Sequence, residues 1–426
     1  MSSVFIDKAP SPLAIIPYYA TASLFFLVFS ILFLITGSDI LAHYFHPQVL
    51  AMVHTLALGW ITMIILGAVH QLLPVITENH LYSNKLAVLC YVLLTSGTLL
   101  LISSFWLFAT NWLMILAGSL ICLSSFLFFF NVWMTTKDQE HSAIFNTFFL
   151  FSSFWFCFTT TVGLLLAINL AYNFIPRNHL EILKLHAHAG LAGWFLQLVT
   201  GASAKLIPMF ILGKSNKNWM LYAALTFQNV GLALFLARGY NHQIGMDSLA
   251  YAVIVGIGIA FWLVYLWDAK KQSLRKKIDF PMQHSFSSFL FLILGLFSLP
   301  MVLNQPSGHW ISTYGVWIFL GWLSGIILGM TFKTLPFIIW NLKYKDINGM
   351  EKIPMPKDLY NQKLLKVQYY LFLSSMLVLS LGTIGKIKLL IVIASILWVA
   401  LASLYLINVA KIIFHKRTVA YGTATH

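Results

Sequence analysis

Three histidines, His54, His186 and His188, stand in long apolar stretches, where a polar side chain is costly and points to function. A neutral imidazole there can exchange a proton or donate a ring nitrogen to iron or another transition metal. Small residues surround all three: Ala51 and Ala57 flank His54 on its helical face, Ala189 and Gly190 follow His186, and Ala192 follows His188. Such spacing leaves room for a flat, macrocyclic ligand to approach the backbone. His186 and His188 are two residues apart, about 200° around a helix, so they face different neighbours. A histidine in a membrane helix also serves as a packing or hydrogen-bonding residue, and that reading stays open for each of the three.

Two of these histidines head a repeated pattern. His54 is followed by Gly59, Trp60, Gly67 and Pro74, and His188 by Gly193, Trp194, Gly201 and Pro208. A third copy keeps Gly321, Trp322, Gly329 and Pro336 but begins with Val316. The copies lie 134 and 128 residues apart. The glycines suit close helix packing, and the proline is expected to break each helix near the membrane surface. The chemistry therefore lies in how the copies differ at their head.

The elements that must carry these residues are membrane spans. With 59% hydrophobic and 9% charged residues, the chain is outside the range of soluble domains. Apolar runs of spanning length fall near 15–37, 49–75, 86–108, 112–134, 145–171, 183–210, 218–238, 247–268, 284–303, 310–340, 365–384 and 386–412. The first shows no small-residue cleavage site and reads as a span, not as a removable signal peptide. The pattern predicts an all-α integral membrane protein of twelve transmembrane helices, arranged as three pseudo-symmetric four-helix units at about 10–138, 141–277 and 281–415. The whole chain, 1–426, reads as a single membrane domain. The motif falls on the second, sixth and tenth spans.

The net charge of +14 is topology, not nucleic-acid binding. All but five of the 26 Lys and Arg lie on one side, the exceptions being Arg177, Lys184, Arg238, Lys386 and Lys388. That distribution predicts a multi-pass protein with both termini cytoplasmic. Cys90, Cys122 and Cys157 lie in separate spans without a CxxC and read as small apolar residues. His70 lies 16 residues beyond His54, too far along the helix to share its site. Met52 holds in the second span the place of His186 and is either a soft ligand or core. His43, His46, His179, His242 and His309 are expected to cluster in outer loops, where they are either solvated or could collect a metal, and His80, His141, His284, His415 and His426 read as surface.

In architecture the chain resembles the catalytic subunit I of heme-copper oxidases and nitric oxide reductases, and the smaller NnrS-type heme- and copper-containing membrane proteins. The His186-x-His188-x-Gly190-x-x-Gly193-Trp194 stretch is most similar to the second group. The resemblance implies a heme, expected to be b-type, with His54 and either His188 or His186 as axial ligands. The other histidine of the pair would face the tenth span and bind a second heme, copper or a gas such as nitric oxide. Arg177, Lys184 and Arg238 would pair with heme propionates. The oxidase pattern is incomplete: the seventh span has no histidine, the tenth reads Tyr314-Gly315-Val316, and no acidic residue stands mid-span. A proton-pumping oxidase is therefore not expected.

The function expected from all this is a heme-binding redox protein of a bacterial inner membrane. It would handle nitric oxide or another diatomic ligand, or pass electrons from a donor protein or quinol. Two alternatives stand beside it: a multi-pass transporter or channel for a metal, heme or small anion, and a non-catalytic sensor or assembly subunit with the same fold.

Overall fold

A computed structural model describes residues 10–137, 143–275, 277–304, 308–348 and 353–417. His141, His426 and the two chain ends lie outside the described residues. Among the described residues twelve helices are long and apolar enough to cross a membrane: α1 Pro12–Thr36, α2 Pro47–Thr77, α3 Asn84–Trp106, α4 Trp112–Thr136, α5 Ala143–Tyr172, α6 His179–Ile211, α7 Asn218–Asn241, α8 Met246–Lys271, α9 Phe280–Asn304, α10 Gly308–Ile347, α11 Gln362–Ile384 and α12 Lys388–Ile413. The chain is a multi-pass integral membrane protein in contact with the lipid bilayer. In lipid the backbone must satisfy its own hydrogen bonds, so apolar runs of this length settle as helices. Side chains of Ser83, Asn111, Asn178 and Asn361 cap the first free amides of α3, α4, α6 and α11.

Three helices form the interior. In the most apolar stretch of α2, α6 and α10, 78%, 72% and 83% of residues are buried, against 28–50% in the other nine. These three are the helices that carry the motif. Around them α3 packs on α4, α7 on α8 and α11 on α12, and α1 closes against α12.

The motif glycines set the inner-to-outer spacing. A Cβ on Gly59 would lie 2.6 Å from the Phe25 ring, on Gly193 2.6 Å from Trp155, and on Gly321 2.4 Å from Phe291. Each aromatic ring thus rests directly on an inner-helix backbone, a contact that any larger residue forbids. The following tryptophans are buried, and two of them stack on rings of outer helices: Trp60 on Phe26 at 3.7 Å and Trp194 on Phe156 at 4.5 Å. Trp194 Nε1 donates to Thr62 Oγ1 at 3.1 Å, which ties α6 to α2.

Each inner helix widens where the motif begins. Thr55–Thr62, Ala189–Phe195 and Val316–Leu323 are π-helical, starting just after His54, just after His188, and at Val316. Such segments are rare and mark functional sites more often than chance. The motif prolines behave unequally. After Pro74 and Pro208 the helices end within four residues, at Glu78 and Leu212 in left-handed conformation. Contrary to the sequence expectation, α10 continues past Pro336 to Ile347. Ile338, Ile339 and Tyr344 beyond the proline are buried, so side-chain packing holds this helix on.

Candidate functional site

A cavity of about 620 Å³ opens among the inner helices, on the side away from the motif prolines, and all three candidate histidines line it. Its wall is mostly apolar, including Phe105, Ile121 and Leu164 on one side and Phe235, Val255 and Leu296 on the other. The histidines are partly exposed only because they face this space.

Each ring has its Nδ1 held by a backbone carbonyl. His54 Nδ1 donates to the Leu50 carbonyl at 2.8 Å, His188 Nδ1 to the Lys184 carbonyl at 2.8 Å, and His186 Nδ1 to the Thr159 carbonyl at 3.0 Å. A carbonyl only accepts, so Nδ1 carries the proton in all three neutral rings and Nε2 keeps its lone pair. That is the tautomer a metal-binding imidazole needs, with its orientation set by the second nitrogen.

The two histidines of α6 part company, as their angular separation requires. His186 turns to α5, where its ring lies over Gly163; a Cβ there would be 2.8 Å from His186 Cε1. His54, on α2, packs beside Phe105 of α3 at 4.8 Å. His188 turns to α7 and α10, with Phe235 at 5.1 Å and Tyr314 nearly parallel at 6.1 Å. All three histidines remain on the one cavity.

Polar groups gather at one edge of the cavity. Lys184 lines it and pairs with Glu181 at 2.6 Å. His179 lines it too, accepting from Asn169 Nδ2 at 3.1 Å. Tyr44, in the loop before α2, completes this edge. Burial raises the Tyr44 phenol above its ordinary pKa, with Lys184 opposing, so it stands there as a neutral hydroxyl. Arg177 and Arg238 are not part of the lining: Arg177 lies over the Tyr240 ring at 5.6 Å, and Arg238 is ion-paired with Asp247 at 2.7 Å.

Other candidates fall away from this chemistry. Met52 lines the cavity, but its sulfur accepts the Thr36 hydroxyl at 3.4 Å. His70 is buried between the Tyr18 and Phe128 rings, outside the cavity. His284, expected at the surface, is fully buried against Tyr369 and Phe372; it sits in the first turns of α9, where the neighbouring α11 covers it. Among the described residues no three His, Cys, Asp or Glu side chains converge as a metal site. The donors come singly or in pairs.

Comparison with known proteins finds no family model and no curated protein that matches this chain. The site must be read from its own geometry.

Sequence reasoning missed Thr159, Gly163 and Tyr314. Nothing local marks Thr159 or Gly163, which become relevant only when α5 packs on α6. Tyr314 was legible, since it precedes Val316 by the same two residues that separate His186 from His188.

Proposed function

We propose that this chain is a heme-binding membrane protein of the heme-copper oxidase subunit I-like type, with His54 and His186 as the residues that would hold one heme. The observation that carries this is a pair of imidazoles from two inner helices, on one apolar cavity, each with Nδ1 held by a carbonyl and Nε2 bare. The donor set and the space suit the group: nitrogen donors in a pair, a mostly apolar wall, and Gly163 giving the His186 ring room. Bound heme would supply an iron that changes oxidation state and, where a coordination position is open, takes a diatomic ligand. The protein's part would be to hold the group with the His54 and His186 imidazoles, whose rings are fixed through the Leu50 and Thr159 carbonyls. Phe105 and its apolar neighbours exclude water, and Lys184 offers a cation for a heme carboxylate.

The function we infer is electron transfer or handling of nitric oxide or another diatomic ligand, fed by a donor protein or quinol. Three four-helix units are the arrangement we propose for the fold. The recurrence of the glycine–aromatic contacts and of the π-helical turn in α2, α6 and α10 supports it. A bacterial inner membrane with cytoplasmic termini is the location we propose, supported by the one-sided distribution of Lys and Arg. Purification in detergent, followed by oxidised and reduced spectra and iron analysis, tests the reading. A low-spin heme spectrum that is lost in both His54→Ala and His186→Ala is expected. A colourless, iron-free wild-type protein sinks the proposal and favours transport.

A further inference from the structure

Among the described residues, Lys184 is the only Lys, Arg, Asp or Glu in the cavity wall. Its ammonium is engaged by Glu181, one helical turn earlier, at 2.6 Å, and the two side chains are 33% and 24% exposed. Glu181 is held in turn from outside the cavity. Its Oε2 accepts the Ile244 amide at 3.3 Å, and Ile244, between α7 and α8, packs against Ile182 and Leu185 of α6. The end of α7 is seated closely there too: a Cβ on Gly239 would lie 2.6 Å from Leu185 Cδ2. Glu181 is also the third residue of α6, after the Asn178 cap, where the helix N-terminus favours a negative charge. The carboxylate is therefore fixed in place by backbone groups, whereas Lys184 carries its charge on a flexible stem. A ligand carboxylate brought against the apolar wall is costly unless it is paired. The one cation it can reach already has a partner.

We propose that Glu181 is an internal competitor for the ligand's carboxylate, and that transfer of Lys184 from one to the other sets how strongly this cavity selects an acid-bearing macrocycle. The inference rests on the heme reading above and adds to it the residue that tunes ligand specificity. Glu181 does not touch the ligand; it acts through Lys184 and is a positioning residue. When Lys184 turns to a ligand carboxylate, Glu181 keeps its bond to the Ile244 amide, so one ion pair is exchanged for another. The remaining negative charge also repels the incoming one. Both effects hold down the preference for a free acid over the same macrocycle with its acids blocked. Neutralising Glu181 should release that preference, and removing Lys184 should abolish it.

The test is the ratio of affinities for hemin and for hemin dimethyl ester, titrated into the heme-free full chain in detergent. Quenching of tryptophan fluorescence reads binding directly, since Trp194 and Trp322 line the cavity. Glu181→Gln keeps an oxygen for the Ile244 amide and suits the third position of a helix, so the fold should hold. It is expected to raise the hemin-to-ester ratio by about fivefold, the scale of an exposed ion pair, with affinity for the ester unchanged. In a Lys184→Met background most of that gain should vanish. Asp247→Asn is the control: it removes a nearby negative charge whose partner, Arg238, is not in the cavity wall, and the ratio should stay at the wild-type value. Hemin binding that depends on His54 and His186, with an equal ratio in wild type and Glu181→Gln, overturns this proposal and leaves the heme reading standing. So does a gain that survives in full without Lys184, or one that Asp247→Asn reproduces. No hemin binding at all overturns both.

Discussion

The contact between Gly163 and His186 allows a test that leaves every proposed ligand in place. Gly163→Ala adds a methyl group 2.8 Å from His186 Cε1, where ordinary contact begins at 3.4 Å. The backbone of α5 is held by its neighbours, so the imidazole is the group that yields, by about 0.6 Å on the lower limit of normal packing. That movement lengthens the 3.0 Å hydrogen bond to Thr159, whose loss costs about 0.5–1.5 kcal/mol. Loss of the partner that orients a metal-binding imidazole typically weakens metal affinity by about 10–100-fold. Alanine also gains about 1 kcal/mol of helix propensity over glycine, so the fold should hold. The expected result is a well-folded protein whose heme is released more readily and shifts from low-spin toward high-spin absorbance. Gly256→Ala is the control, since a Cβ there meets nothing within 4 Å. Equal heme retention and equal spectra in the two variants would refute the placement of His186 as a ligand held against α5.

Other outcomes follow from the same geometry. Trp194→Phe removes the donor to Thr62 and leaves a buried hydroxyl without it, which should lower stability by about 1 kcal/mol in detergent melts. Lys184→Met should weaken heme retention more than Arg177→Met or Arg238→Met, because only Lys184 lines the cavity; equal effects in hemin-transfer assays would contradict that. His415, beyond the end of α12, is hydrogen-bonded to Tyr344 at 2.7 Å, and burial, then Lys343 and Lys411, lowers its pKa. The unfolded chain therefore binds the proton first as pH falls. The stability this group contributes is full above about pH 6.5 and declines as pH drops toward the folded value. His415→Gln should flatten that part of a melting-temperature profile.

The sequence by itself determined the membrane class, the number of spans and which three of them carry the motif. Those properties are written in runs of apolar residues and in a glycine–tryptophan spacing that survives three times, and both act locally along one helix. It also singled out His54, His186 and His188, because a polar residue in an apolar run is conspicuous without any partner. It could not say which way each histidine of α6 turns. That depends on how α6 is rotated against α5, and the rotation is set by Trp155 on Gly193 and His186 on Gly163, contacts between distant residues. The same limit hid the burial of His284, which lies near a helix end and is covered only by α11. Nor could it say which of the outer cations lines the cavity. Arg177 and Arg238 lie on the same side of the chain as Lys184, yet Tyr240 and Asp247 engage them while Lys184 alone reaches the cavity. Position along the chain determines depth in the bilayer; only the packing of one helix on another decides which way a side chain faces.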